Sequence, residues 1–191
     1  AKTYSKQNNY SLAQRNAVKA VELDRSNAEA QIAYARMLSQ FEGIEKGISY
    51  LNFLINQFSY SIELRQAMAE IYEENQRYLE SCNIYEQLKD ADPKNKKAHL
   101  GLGVCYQGQA LFDKALKSYL QAVVSDPSDP EGKIKAGLLY LQTEKYQEAI
   151  NQFKGALEIN PRYPRINYLI GKALLAKGDS YQALQSALEE R

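Results

Sequence analysis

Apolar and polar residues along this chain follow two superposed rhythms. Within short segments the apolar positions fall three or four apart, the spacing of one face of an α-helix. Between segments the whole pattern returns every 34 residues. Units begin at 28, 62, 96, 130 and 164, with a partial one before, and position 8 reads Ala1, Ala35, Ala69, Gly103, Gly137 and Gly171. Position 20 is small as well: Ala13, Gly47, Ser81, Ala115, Ala149 and Ala183. Position 11 carries Tyr4, Leu38, Tyr72, Tyr106, Tyr140 and Leu174, and position 24 carries Ala17, Leu51, Tyr85, Tyr119, Phe153 and Ala187. Small residues at 8 and 20 let two helix backbones approach closely, and the large residues at 11, 17 and 24 fill the space beside them. Each unit therefore predicts two antiparallel amphipathic helices, at about positions 1–14 and 17–29, joined by a short polar turn such as that around Gly108 and Gln109.

The prolines agree with that division. Pro93, Pro127 and Pro161 each follow Asp or Asn at position 32, where proline drives the preceding residue out of the helical region. Pro130 and Pro164 open units, where a missing amide hydrogen has no intrahelical partner to lose. No stretch alternates like a strand, so the expected fold class is all-α. An unbroken register is the mark of a solenoid. One array over 1–191 is expected: a partial repeat 1–27, repeats 28–61, 62–95, 96–129 and 130–163, and a truncated repeat 164–191.

These residues closely resemble the tetratricopeptide repeat. The unit at 96 supplies Leu102, Gly103, Tyr106, Ala115, Tyr119, Ala122 and Pro127, with His99 in a slot usually held by Trp. The unit at 130 supplies Gly137, Tyr140, Ala149, Phe153, Ala156 and Pro161. The resemblance implies a right-handed superhelical solenoid of antiparallel helix pairs. The unit at 28 departs from the pattern, with Gly47 for Ala and Ser59 for Pro within the stretch Phe58 to Ile62, which predicts a late helix end or an atypical link. The last unit departs at Leu174 and Glu190.

Charge narrows the partners. A net charge of +1, from 24 basic and 23 acidic residues, gives no general attraction to nucleic acid or to anionic membrane. No apolar run reaches the roughly 20 residues that a membrane helix needs. Ala1 falls at position 8 of a first helix and Arg191 at position 28 of a second, so the chain reads as a fragment of a longer protein. Cys82 and Cys105 occupy helical core slots, and two buried thiols are expected in preference to a disulfide. That points to a reducing, cytoplasmic compartment; a periplasmic or membrane-anchored setting through a preceding segment is the alternative.

Catalytic chemistry finds no support. The one histidine, His99, sits in a packing slot, and no cluster of His, Cys, Asp and Glu has the spacing of a metal site. Glu73 and Glu74 lie side by side on a helix and read as a solvated face. No glycine-rich loop opens a helix in a phosphate-binding pattern. The expectation is no enzyme and no cofactor.

The resemblance implies a concave groove lined by the first helices, with positions 2, 5, 9, 12 and 13 facing inward. In the unit at 62 these give an acidic patch of Glu63, Glu70, Glu73 and Glu74 beside Gln66. Further on they give Leu100, Val104, Ile134, Leu138, Leu141, Tyr168, Lys172 and Leu175, with Lys97 and Arg165 at the edges. Positions 5 and 9, among them Ile32/Arg36, Gln66/Glu70 and Leu100/Val104, lack the lysine, asparagine and arginine pairs with which some members grip a partner's terminal carboxylates. Most of the fifteen tyrosines occupy repeat slots, which leaves Tyr168 as the groove contact. The run Lys94, Lys96 and Lys97 opens a helix, where cations oppose the dipole, and is read as solvated.

The expected function is a non-catalytic protein–protein adaptor or scaffold whose groove holds an apolar or amphipathic segment of a protein partner. No nucleic acid and no direct membrane insertion are expected, and homo-oligomers are compatible with the pattern. Two alternatives use the same surfaces: a targeting or assembly chaperone for an exported or pilus-type subunit, and a self-associating structural element.

Overall fold

The computed structural model describes residues 2–24, 26–57, 62–179 and 182. Among these stand ten helices and no strand: α1 (Lys2–Leu23), α2 (Ala28–Phe41), α3 (Ile44–Gln57), α4 (Ile62–Glu74), α5 (Tyr78–Ala91), α6 (Lys96–Gly108), α7 (Phe112–Ser125), α8 (Glu131–Gln142), α9 (Tyr146–Ile159) and α10 (Ile166–Lys177). The pairs α2/α3, α4/α5, α6/α7 and α8/α9 are the units at 28, 62, 96 and 130. Their first helices end at position 13 or 14, and every second helix spans positions 17–30. The departures expected at Ser59 and Glu190 lie outside the described residues.

One prediction of the 34-residue pattern fails at the start of the chain. The partial unit was expected to turn near Asn8, yet α1 runs unbroken from Lys2 to Leu23.

The turn inside the unit is a repeated device. At position 15, Gln76, Ala110, Glu144 and Gly178 all have positive φ, at 60°, 58°, 61° and 97°. The following amide reaches back five residues to the carbonyl at position 11: Arg77 N to Tyr72 O at 2.8 Å, Leu111 N to Tyr106 O at 2.9 Å, Lys145 N to Tyr140 O at 2.9 Å, and Asp179 N to Leu174 O at 2.8 Å. A left-handed residue with a six-to-one hydrogen bond is the Schellman helix ending. The turn therefore holds Gln109 and centres on Ala110, with Gly108 the last residue of α6. In the unit at 28 the left-handed residue comes one place later, at Gly43 (φ 109°).

Between units the chain turns on an Asp or Asn at position 31. Its side-chain oxygen accepts from the amide two residues on: Ser26 N to Asp24 at 2.9 Å, Lys94 N to Asp92 at 3.0 Å, Ser128 N to Asp126 at 3.2 Å and Arg162 N to Asn160 at 3.2 Å. This is the Asx turn that a short carboxylate or amide makes with its own backbone. Asn27 and Asn95 then cap α2 and α6, accepting from Ala30 N at 3.1 Å and Ala98 N at 3.0 Å. His99 is buried, with Nε2 at 2.9 Å from the Pro93 carbonyl. A carbonyl only accepts, so Nε2 carries the proton, and the histidine ties the helix to the preceding turn.

The chain divides into two compact units, Ala1–Tyr85 and Glu86–Arg191, with the division inside α5. The core of the first is built on Ala35, Ile48, Leu51, Leu64, Met68 and Ile71, with a smaller cluster of Ala17, Met37 and Leu38. The second has two clusters, around Tyr119 with Ala115, Ala136 and Leu139, and around Phe153 with Ile134, Ile166 and Ile170. Glycine at position 8 has a definite purpose in both of these. A methyl group on Gly103 would sit 2.1 Å from Cε1 of Tyr119, and one on Gly137 2.6 Å from Cε1 of Phe153. The aromatic ring at position 24 occupies the room a side chain would need.

Both cysteines are disulfide-bonded, and no free cysteine is found among the described residues. This corrects the expectation of two core thiols and removes its argument for a reducing compartment. No helix among the described residues is long and apolar enough to cross a membrane.

Candidate functional site

Side chains from successive first helices meet at the positions assigned to the groove. In the first unit Arg36, at position 9 of α2, donates to Glu70 and Glu74, at positions 9 and 13 of α4. In the second, Gln107 at position 12 of α6 donates to Gln142 at position 13 of α8, at 2.6 Å, and the Tyr119 hydroxyl donates to Gln107 at 2.8 Å. These contacts were missed in the sequence. A pairing rule across the repeat, opposite charges at equal or near-equal positions of neighbouring units, finds the Arg36 clamp.

The clamp changes the acidic patch. Glu70 and Glu74 are partly exposed but paired to Arg36, and Glu73 accepts from the Ser81 hydroxyl at 3.1 Å. Glu63 is exposed. The Tyr85 phenol lies behind this cluster and is raised well above its ordinary range, first by burial and then by the charges of Glu73 and Glu70.

The apolar positions fall into two classes. Leu100 and Ile134 are buried, each 8% exposed, within the clusters around Tyr119 and Phe153. Val104 and Leu141 are half-buried against the same clusters. These four serve the packing of the array. Leu138, Tyr168 and Leu175 are exposed, at 37%, 54% and 60%. Lys172 is exposed between the last two. Tyr168, Lys172 and Leu175 stand at i, i+4 and i+7 of α10 and so share one helical face.

A cleft of about 450 Å³ opens in the first unit between α1 and α3, with α2 as its floor. Its walls include Val18, Val21, Tyr34, Tyr50 and Phe53, with Tyr34 and Tyr50 edge to face at 5.0 Å. The Tyr50 hydroxyl donates to Gln31. Among the described residues no group of three or more His, Cys, Asp and Glu is placed to hold a metal ion.

Recurrent helix hairpins with small-residue contacts and a first-helix inner face define an α-helical repeat protein. Two family models match the chain: "Tetratricopeptide repeat" over residues 67–130 and "TPR repeat" over 137–178, together more than half its length. The chain is a tetratricopeptide-repeat protein. Among curated proteins it is similar to the general transcriptional corepressor ssn6 of Schizosaccharomyces pombe, 27% identical over 74% of this chain and 13% of the relative. It is also similar to a probable UDP-N-acetylglucosamine–peptide N-acetylglucosaminyltransferase SPINDLY of Eustoma exaltatum, 30% identical over 54% of this chain and 11% of that protein. The chain thus spans a small part of the relatives it matches. Among solved structures, TTC0263 of Thermus thermophilus superposes with a TM-score of 0.72 at 20% identity, covering 91% of this chain and 94% of that one. YrrB, described as a TPR protein with an unusual peptide-binding site, gives 0.61 at 21% identity, covering 91% and 90%.

Proposed function

We propose that the chain is a non-catalytic protein-binding adaptor whose first-helix surface on α8 and α10 receives an apolar or amphipathic segment of a partner protein. The observation that carries this is the exposure of Leu138, Tyr168 and Leu175 at first-helix positions that the repeat does not use for its own packing. An isolated exposed leucine is ordinary, whereas large apolar groups gathered on one surface mark a binding site. The cross-helix contacts Arg36–Glu70 and Gln107–Gln142 support the surface, because side chains at positions 9, 12 and 13 of neighbouring first helices reach one another in both units. Lys172 between Tyr168 and Leu175 suits a segment carrying a carboxylate among its apolar anchors. The peptide-binding site ascribed to YrrB is in keeping with this reading.

Affinity capture from source-cell lysate tests it, comparing the chain with a Leu138→Glu/Leu175→Glu variant. Both residues are exposed, so folding stability should change by less than about 0.5 kcal/mol. A protein captured by the original and lost by the variant supports the surface. Equal capture by both places the partner elsewhere.

A further inference from the structure

The second unit has a valley of about 300 Å³ between α5 and α7, with α6 as its floor. Its place in the repeat corresponds to the cleft between α1 and α3, but its chemistry is different. Where the first-unit cleft has Val18 and Val21 from the preceding helix, this one has Glu86 and Lys89. Where that cleft has Tyr50 and Phe53, this one has Ser118 and Gln121. Packing of the repeat therefore tolerates either lining and dictates neither.

The charge in the valley is unbalanced. Its one carboxylate, Glu86, is engaged twice, by the Lys89 ammonium and by the Tyr106 hydroxyl. Burial raises the Glu86 carboxyl, but those two hydrogen bonds together with the charges of Lys89 and Lys114 outweigh it and hold it below the usual range. Tyr106 moves the other way, pushed up to about 12 by burial and by the carboxylate it serves. Two further ammonium groups form no close ion pair among the described residues, although the charge of Lys114 acts on Glu86 at longer range. Lys114 lies over the Tyr106 ring at 5.6 Å from its centroid, and Lys117 is exposed one turn along α7. Repeat packing does not ask for them. The same two positions, 19 and 22, hold Lys46 and Ser49, Glu80 and Asn83, and Glu148 and Asn151 in the other complete units.

We propose that this valley binds a short acidic segment of a partner protein, with one or two of its carboxylates engaging Lys114 and Lys117 beside the Tyr106 ring. The volume suits one or two side chains. Two ammonium groups without a close ion pair among the described residues suit a carboxylate pair, whereas a polynucleotide draws its affinity from about six to ten phosphate contacts. The Gln121 amide at the rim supplies a neutral hydrogen-bonding group for the segment's backbone. The two lysines of this site lie on second helix α7, and the site shares no residue with the surface on α8 and α10.

Amide chemical shifts of the isotopically labelled 191-residue chain, recorded during titration with blocked octaglutamate, blocked octaglutamine or octauridylate, test the proposal. Octaglutamate should move the resonances of Lys114, Lys117 and Gln121, and octaglutamine should not. Lys114→Gln/Lys117→Gln should weaken octaglutamate binding by about tenfold, while Leu138→Glu/Leu175→Glu leaves it unchanged. Three results would each overturn the site: no shifts on α7, shifts unaffected by the lysine substitutions, or octauridylate bound as tightly as octaglutamate. Thermal midpoints equal to that of the unmodified chain confirm that the variants fold.

Discussion

At the scale of single residues, this repeat is governed by where a Cβ atom fits and where it is strained. Ala110 and Glu144 take left-handed backbone angles that their side chains disfavour, while Gly178 fills the same slot without strain. Ala110→Gly should raise stability by about 0.5–1 kcal/mol, the relief of strain exceeding the added freedom of the unfolded chain. Urea unfolding measures this, and a lower midpoint would show that the turn is not limiting. The opposite holds at Gly103, where a methyl group would collide with the Tyr119 ring. Gly103→Ala should cost about 1–3 kcal/mol, and unchanged stability would mean that the ring has room to move. The sequence identified the small slot at position 8 and placed the turn around Gly108 and Gln109, one place before the left-handed Ala110. No residue type marks that position, because a Schellman ending is fixed by its hydrogen bond to position 11 and accepts alanine or glutamate at some cost.

At the scale of helices and their links, the 34-residue pattern gave most boundaries to within a residue or two because each unit repeats one set of packing constraints. It failed for α1, which runs unbroken through positions 15 and 16 of its unit. The lysine run that opens α6 was read as solvated, yet Lys96 reaches across its unit to Asp126 at 2.8 Å and Asp129 at 2.5 Å. Nothing in the local sequence marks that contact, since it joins positions 1, 31 and 34 of one unit. The Lys96 ammonium and the Ser128 hydroxyl bring Asp126 down to about 2, and Lys96 also lowers Asp129. A carboxyl whose pKa is lower folded than unfolded stabilises the fold above the unfolded value and loses that contribution as pH falls through the folded one. The melting temperature of the chain should therefore exceed that of Lys96→Gln at neutral pH. The gap should narrow as pH falls from about 4 toward 2. A gap that stays constant over that range would separate Lys96 from the two aspartates.

For the whole molecule, the repeat resolves an even charge balance into surfaces of different character. The acidic stretch legible in the unit at 62 is largely satisfied by Arg36, a pairing that appears only once neighbouring units are placed together. Of the eight apolar or basic groove residues read from the sequence, Leu100 and Ile134 are buried and Val104 and Leu141 half-buried, while Leu138, Tyr168, Lys172 and Leu175 remain exposed. Position in the repeat set the helix and its face; how deeply a neighbouring helix covers each position was not written in the pattern. Oxidation state was not legible either. With both cysteines disulfide-bonded, an alkylating reagent should label no thiol before reduction and both afterwards, read as a mass change of the intact chain. Labelling without reductant would contradict the bonded state.

Site-specific photo-crosslinking in source cells tests the binding role most directly. A photoreactive amino acid is placed in turn at Leu138, Tyr168 and Leu175, with exposed Asn151 on α9 as the control position. One partner protein crosslinked from all three sites and absent from Asn151 is the predicted result. The same partner crosslinked from Asn151 and from none of the three would contradict a binding surface on α8 and α10.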